Sequence, residues 1–137
     1  MRFGCCISPE KYGEAVETGF DFAEFSEKGL SSMSERDFIK LCAVVDSGPI
    51  PVLACNSYCG DRPALVGKNY SAAETVRYAK MLCGRAARQG VKSLGSGVPS
   101  ARQLPQNYDR SQADAQYREF LRLMTDAATQ REAAGKF

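Results

Sequence analysis

The sequence predicts an α/β fold in which four consecutive βα units form a parallel half-barrel. Two observations lead to this prediction: four β-prone segments alternate with four amphipathic helical segments, and each helical segment ends at a glycine. Strands separated by helices of this length need crossover connections, so the strands are expected to be parallel. A closed parallel barrel needs eight such units, and this chain supplies half of them.

Composition and charge narrow the class of protein. The 137 residues, 44% hydrophobic and 25% charged, are typical of one globular domain over residues 1–137. The net charge of +2 is too small for a nucleic-acid-binding surface. The apolar run near the start is too short for a signal peptide, and no segment approaches the roughly 20 apolar residues of a membrane span. We therefore expect a cytoplasmic protein with no nucleic-acid or membrane partner.

Four segments rich in β-branched and aromatic residues predict the strands. They are residues 2–7, 20–25, 50–55 and 91–94. Pro51 is compatible with the third strand because it lies near the start of that strand, where a missing N–H is tolerated.

Each predicted helix has a start signal and a stop signal. The starts are Ser8 followed by Pro9, Ser34, the capping box of Ser71 and Glu74, and a loop that runs to Asp109. The glycines that end the helices are Gly19, Gly48, Gly90 and Gly135. Residues 26–33 are interpreted as a Gly/Ser-rich loop. The arginines of the last two helices, such as Arg85, are interpreted as a solvated outer face.

Six cysteines raise the question of thiol chemistry. Two lie on apolar helix faces and are expected to be small core residues: Cys42 and Cys83. Four lie near predicted strand ends: Cys5, Cys6, Cys55 and Cys59. We expect reduced thiols with structural roles, because their spacing is not a metal motif and the chain has no histidine. Redox or metal chemistry at the second group is the alternative hypothesis.

The candidate site follows from the predicted topology, because parallel βα folds bind ligands at the carboxyl ends of their strands. Glu24 ends the second strand, where it could bind a hydroxyl group or pair with a neighbouring Lys or Arg. Asn56 follows the third strand, where its amide could bind a sugar hydroxyl or cap the turn.

The loop after the fourth strand is a candidate anion site. Gly95, Ser96 and Gly97 allow backbone amides to approach a phosphate, and Arg102 could add a bidentate contact. Glycines after a strand are also common in plain turns, so both interpretations stay open.

Three segments resemble the xylose isomerase-like TIM barrels, the sugar phosphate isomerase/epimerase superfamily. They are Gly19–Glu24, Ala54–Tyr58 with Ala64–Gly67, and Leu94–Gly97 with Arg102 and Pro105 downstream. The last resembles the GSG-x-AR segment of one branch, with two extra residues after Gly97. The resemblance covers the whole chain and the first half of the family's (β/α)8 barrel.

The resemblance implies aldose–ketose isomerisation or ketose epimerisation of a sugar or sugar phosphate, by metal-assisted proton transfer. In that family the divalent metal, Mn or Mg, is held by Glu, Asp, His and Glu on strands five to eight. The chain ends at Phe137, where strand five is expected to begin. We therefore assign no catalytic residue and no metal ligand here, and we expect no fully ligated cofactor.

Half of a barrel leaves an open sheet face and two unpaired edge strands. We expect Phe3, Phe22, Val52 and Leu94, or their strand neighbours, to line the open face. A second copy of the chain, forming a homodimer, or a separate C-terminal half-barrel is the predicted partner. A non-catalytic half-barrel that serves in binding or assembly is the alternative function.

Overall fold

Four strands and five α-helices alternate along the computed structural model, which describes residues 1–57, 64–97, 99–104 and 106–133. The strands are β1 (Gly4–Ile7), β2 (Phe22–Ser26), β3 (Val52–Asn56) and β4 (Ser93–Gly95). The helices are α1 (Tyr12–Thr18), α2 (Glu27–Ser32), α3 (Glu35–Ser47), α4 (Ala72–Arg88) and α5 (Arg110–Ala133). Short 3-10 helices span Pro9–Lys11 and Pro99–Arg102.

The four strands form one parallel sheet in the order β1-β2-β3-β4. The predicted sequence of parallel βα units is therefore confirmed. Each strand begins two residues later than predicted, and β2, β3 and β4 end one residue later.

The two faces of the sheet differ in burial. The buried face is formed by residues that expose at most 1% of their surface: Ala23, Phe25, Val52 and Cys55. Glu24 and Ser26 alternate with the buried residues of β2 and point to the opposite, half-exposed face. The β2–β3 register shifts between Ala23 and Glu24, which allows Val52 and Cys55, three residues apart, to share the buried face.

Two residues expected on the open face lie on the buried side instead. Val52 pairs with Ala23, and Leu94 pairs with Cys55. Neighbours in a parallel register point to the same side of the sheet, so Val52 and Leu94 do not line the open face. Their strand neighbours Ala54 and Ser93, which follow Glu24 in the register, lie on that side. Val52 pairs directly with Ala23, and the register shift that follows returns Cys55, and with it Leu94, to the same side.

Helix α2 replaces the loop predicted over residues 26–33. The Ser26 hydroxyl accepts a hydrogen bond from the Gly29 amide at 3.4 Å, which caps the start of the helix. Leu30 is completely buried. Burial of this side chain outweighs the weak helix propensity of the Gly and Ser residues, so the tertiary structure overrides the local composition.

Most of the predicted helix signals act as expected. The Ser34 and Ser71 hydroxyls accept hydrogen bonds from the amide three residues later, at 3.1 and 3.3 Å. Gly19 and Gly90 end their helices with φ of 84° and 79°, a conformation that favours glycine. Ser8 precedes a 3-10 helix but makes no side-chain cap bond there.

The chain divides into two compact units. Unit 1 comprises Met1–Tyr58 and Arg85–Gly97, and unit 2 comprises Cys59–Gly84 and Val98–Phe137. The whole sheet therefore belongs to unit 1. The prediction of a single domain over residues 1–137 stays a prediction. Among the described residues, no helix has the length and apolar character needed to cross a membrane.

Unit 2 holds the described segment that follows β3 against helix α5. The Gln116 side chain accepts from the Gly67 amide at 2.7 Å and donates to the Gly67 carbonyl at 3.2 Å. The Tyr70 hydroxyl donates to the Glu119 carboxylate at 2.8 Å, and burial together with this bond raises the pKa of Tyr70. These bonds give the segment a fixed backbone without regular secondary structure.

Arg85 joins the end of α4 to the end of α2 within unit 1. Its Nη1 donates to the carbonyls of Leu30 at 2.7 Å and Met33 at 2.8 Å. Its guanidinium lies 5.0 Å from the centroid of the Phe38 ring, and its side chain is only 12% exposed. The interpretation of Arg85 as a solvated charge is therefore wrong, since the residue satisfies carbonyls that the helix leaves unpaired.

We predict that Arg85→Ala lowers the free energy of unfolding by about 2–4 kcal/mol, because the carbonyls of Leu30 and Met33 lose their hydrogen-bond donor. Arg85→Lys should lose about half as much, since an ammonium group cannot reproduce the planar fork. The control is Glu35→Gln, which removes a carboxylate that is 74% exposed and should cost under about 0.5 kcal/mol. Urea unfolding gives these values, and equal losses for Arg85→Ala and the control would contradict the prediction.

The five described cysteines, Cys5, Cys6, Cys42, Cys55 and Cys83, are free thiols. Burial raises the pKa of Cys55 to about 12, and the Glu27 and Glu24 carboxylates add to the effect. Burial is also the main cause that raises the pKa of Cys5, Cys42 and Cys83. Because the thiolate is the reactive form, these four thiols do not favour the thiol-chemistry hypothesis. Cys59 lies outside the described residues.

We predict that iodoacetamide at pH 8 labels the exposed Cys6 before Cys55, whose thiolate is then about one part in ten thousand. Peptide mass mapping over a time course measures both, and labelling in urea provides the fully reactive reference. Cys6→Ser should remove the fast event. Fast, stoichiometric labelling of Cys55 in the native protein would contradict the assignment of this thiol as a buried core group.

Candidate functional site

Polar residues share one face of the sheet near the carboxyl ends of its strands. Cys6 of β1 lies beside Glu24 of β2, and Ser26 of β2 lies beside Asn56 of β3. Asn56 in turn lies beside Gly95 of β4. Because register neighbours in parallel strands point to the same side, these five residues form one surface. We name them the polar sheet face.

The polar sheet face is partly open to solvent. Cys6 and Gly95 are exposed, whereas Glu24, Ser26 and Asn56 are half-buried. Groups in this state have a position fixed by the strands and can still contact a ligand. Because parallel βα folds bind ligands at the carboxyl ends of their strands, this surface is the candidate site.

Asn56 is held by a contact that crosses the sheet. Its Nδ2 donates to the sulfur of Cys6, although β2 lies between the two strands. The bond uses one amide donor and leaves Oδ1 of Asn56 as an acceptor on the same surface. The strand and this contact therefore fix the orientation of the amide.

Two carboxylates make this end of the sheet electronegative. Glu24 and Glu27 both raise the pKa of the Cys55 thiol, which means that both lie near it. Glu27, the first residue of α2, is 2% exposed, and its Oε1 has no hydrogen-bond partner among the described residues. Within the described part of the chain, none of the ion pairs involves Glu24. The pairing of Glu24 with a lysine or arginine is therefore not supported.

The ends of β3 and β4 lie close together. A Cβ atom built on Gly97 would lie 3.5 Å from the Ser57 hydroxyl oxygen, and one built on Gly95 would lie 3.8 Å from the Asn56 Cα. Ser57 itself is exposed and has a φ of 56°, which non-glycine residues rarely adopt. The two glycines therefore leave open space beside Asn56 and Ser57.

The sequence-predicted site residues divide into three groups. Glu24, Asn56 and Gly95 lie together on the polar sheet face, and Ser96 and Gly97 follow Gly95 directly. Arg102 is the last residue of the 3-10 helix Pro99–Arg102, and its side chain lies outside the described residues. The assignment of all six residues as ligand contacts stays a prediction.

Three residues of the site were not predicted from the sequence. Ser26 belongs to β2, which continues one residue further than its composition indicates. Glu27 starts a helix that was predicted as a loop, so nothing signals its burial. Ser57 has a left-handed backbone that its residue type does not favour. Of these, only the alternation along β2 is a signal that could have been found.

The described residues do not fit the divalent metal that the resemblance implies. They contain no group of three or more His, Cys, Asp and Glu side chains that could hold a metal ion. The whole chain also lacks histidine, one of the four expected ligands. We therefore assign neither Mn nor Mg a ligand among these residues.

Solved structures match this fold, whereas no family model and no curated protein matches the sequence. A D-psicose 3-epimerase, crystallised in the presence of D-fructose, matches with a TM-score of 0.67 and 13% identity over 96% of this chain. The 3-keto-D-glucoside 4-epimerase YcjR of E. coli matches with a TM-score of 0.66 and 15% identity over 96% of the chain. The D-psicose 3-epimerase of Clostridium cellulolyticum H10, solved with D-tagatose, gives 0.67 and 14% over the same share.

The chain spans about half the length of these structures, with 50%, 53% and 50% of their residues covered. At this level of identity the match shows the fold. It confirms the predicted fold class of four parallel strands that alternate with helices. The chain has the fold of about half of each of these TIM-barrel structures.

Proposed function

We propose that this chain binds a sugar or sugar phosphate at the polar sheet face, as one half of an isomerase- or epimerase-type TIM barrel. The observation that carries the proposal is the grouping of Glu24, Ser26 and Asn56 on a half-exposed surface at the carboxyl end of a parallel sheet. Solved proteins with the same fold are sugar epimerases, which supports a sugar as the ligand.

Each polar group has a distinct part in this proposal. The Glu24 carboxylate accepts a hydrogen bond from a sugar hydroxyl, and a charged acceptor makes this the strongest contact. Asn56 accepts through Oδ1, with its amide already oriented by Cys6. Ser26 supplies a hydroxyl beside Asn56, although the same oxygen also caps helix α2. Together these groups match the dense hydroxyl pattern of a sugar.

The loop after β4 supplies the anion contact for a phosphorylated sugar. The backbone amides of Gly95, Ser96 and Gly97 can approach a phosphate closely because two of these residues carry no side chain. This part of the proposal rests on residue type and on the proximity of the loop start to Asn56.

The residues of this chain bind and orient the sugar, and a complementary half-barrel supplies the groups that transfer protons. Aldose–ketose isomerisation and ketose epimerisation both need an acid and a base placed beside the reacting carbon. A divalent metal, Mn or Mg, would polarise the sugar oxygens where that half is a separate C-terminal half-barrel that carries metal ligands, since the described residues of this chain offer no such group. A second candidate function is a non-catalytic half-barrel for binding or assembly, which the half-length match to each solved epimerase favours.

The complementary half is a second copy of this chain or a separate C-terminal half-barrel. Strands β1 and β4 lie at the two edges of the described sheet and each pairs on one side only. Such edges carry unpaired backbone groups that bind another strand. Two copies joined through these edges would provide the eight strands of a closed barrel.

We predict that the chain binds D-fructose or D-tagatose and that Glu24→Gln weakens the binding about 10-fold, because a charged acceptor is lost. Asn56→Ala should weaken it about 3- to 10-fold. Glu14→Gln, which alters an exposed carboxylate on α1, is the matched control and should change affinity by no more than about 2-fold. Titration calorimetry with the sugars and one ketose phosphate measures these affinities. Absence of binding to every sugar would refute the proposal.

We predict a dimer of the 14.9 kDa chain in solution, because the edges of the sheet pair with those of a second copy. Light scattering after gel filtration, over a range of micromolar concentrations, measures the mass. A stable monomer without aggregation would contradict the homodimer. A separate C-terminal half would then be the expected partner. Coexpression with such a half should give ketose epimerisation, and no activity in that complex would favour the non-catalytic function.

A further inference from the structure

Ser57 adopts a backbone conformation that its residue type disfavours. Two non-glycine residues in the described part of the chain have positive φ: Ser57 at 56° and Asn107 at 58°. Asparagine is common there because its short amide bonds to its own backbone, whereas serine has a steric cost that glycine avoids. Residues kept in costly conformations concentrate at functional sites.

The position of Ser57 is consistent with such a role. It follows Asn56 directly at the carboxyl end of β3, and it is exposed to solvent. A Cβ atom at Gly97 would lie in ordinary van der Waals contact with the Ser57 hydroxyl oxygen, at 3.5 Å. Because Gly97 has no side chain, that position leaves the Ser57 hydroxyl uncovered.

We infer that Ser57 is a further sugar-binding residue whose hydroxyl contacts the ligand beside Asn56. The inference rests on the proposed function. A serine hydroxyl both donates and accepts, and sugar hydroxyls need both kinds of partner. Glu24 and the Oδ1 of Asn56 only accept, so the Ser57 hydroxyl adds a donor beside them. Such a contact gives the Ser57 hydroxyl a role at a position where glycine would fit the backbone better.

A purely structural role makes a different prediction. If the turn after β3 needs only a left-handed residue, then Ser57→Gly improves stability and leaves ligand binding unchanged. If the hydroxyl binds the sugar, the same substitution improves stability and weakens binding. A gain in stability together with a loss of affinity therefore indicates the binding role, and a gain in stability with unchanged affinity indicates the structural role.

The test combines titration calorimetry with D-fructose and D-tagatose and thermal unfolding of each variant. Ser57→Gly should weaken binding about 3- to 10-fold and raise the Tm by about 2–4 °C. Ser57→Ala removes the hydroxyl but keeps the strained backbone, so it should show the same loss of affinity without the gain in Tm. Asn107→Gly relieves the other left-handed residue and should leave the affinity unchanged.

Gly97→Ala provides an independent test, because it changes the residue next to the Ser57 hydroxyl and leaves Ser57 itself intact. Its methyl group fits without a clash, at 3.5 Å from the Ser57 oxygen, but covers the hydroxyl. It should therefore weaken binding by about the same 3- to 10-fold with little change in Tm. Gly13→Ala is the control, because a Cβ there meets nothing within 4 Å on helix α1.

The outcomes separate this inference from the proposed function. If the native chain binds a sugar and Ser57→Gly and Ser57→Ala bind it equally well, the assignment of Ser57 is overturned and the proposed function stands. If the native chain binds neither of these sugars nor a ketose phosphate, both are overturned. The assignment is supported if both Ser57 variants and Gly97→Ala lose affinity for the sugar while Asn107→Gly and Gly13→Ala keep the native affinity.

Discussion

The pairing register of β2 with its neighbours is the constraint on which the rest of the site depends. Ala23 and Phe25 are completely buried, so β2 cannot slip by one residue without turning both toward the half-exposed side. Burial of two apolar side chains is worth several times the strength of one surface hydrogen bond. The same register that satisfies these residues places Glu24 and Ser26 on the opposite face, so the core fixes the position of the polar groups.

The register shift between β2 and β3 brings Asn56 onto the same surface. With strict alternation along β3, Asn56 would share a face with Val52, which is buried. The shift adds one residue between Val52 and Ala54, after which Cys55 faces the core and Asn56 faces Cys6. Irregularities of this kind re-aim side chains near functional sites. The contact between Asn56 and Cys6 exists because of this single extra residue.

Structural features that depend on neighbouring residues, such as helix caps, could be predicted from the sequence. Features that depend on contacts between distant residues could not. Ser34, Ser71 and Gly19 act within one helical turn, so their signals were readable and correct. Helix α2 depends on the burial of Leu30 and on Arg85, 55 residues away, and a Gly/Ser-rich composition gives no sign of either. Asn56 was predicted because the end of a strand is a local feature, whereas Glu24, predicted near a strand end, lies in the middle of β2. The left-handed backbone of Ser57 was not, because serine carries no signal for it.

The polar sheet face and the edges of the sheet differ in the kind of partner that they would bind. The polar sheet face carries a carboxylate, an amide and a hydroxyl, groups that lose free energy when an apolar surface covers them. Such a face is better matched to water or to a sugar than to a tightly packed partner. The edges of β1 and β4 instead carry backbone groups that only another strand pairs well. A partner that joins along these edges would therefore complete the ladder and leave the polar groups facing a ligand, which makes partner binding and sugar binding compatible within one half-barrel.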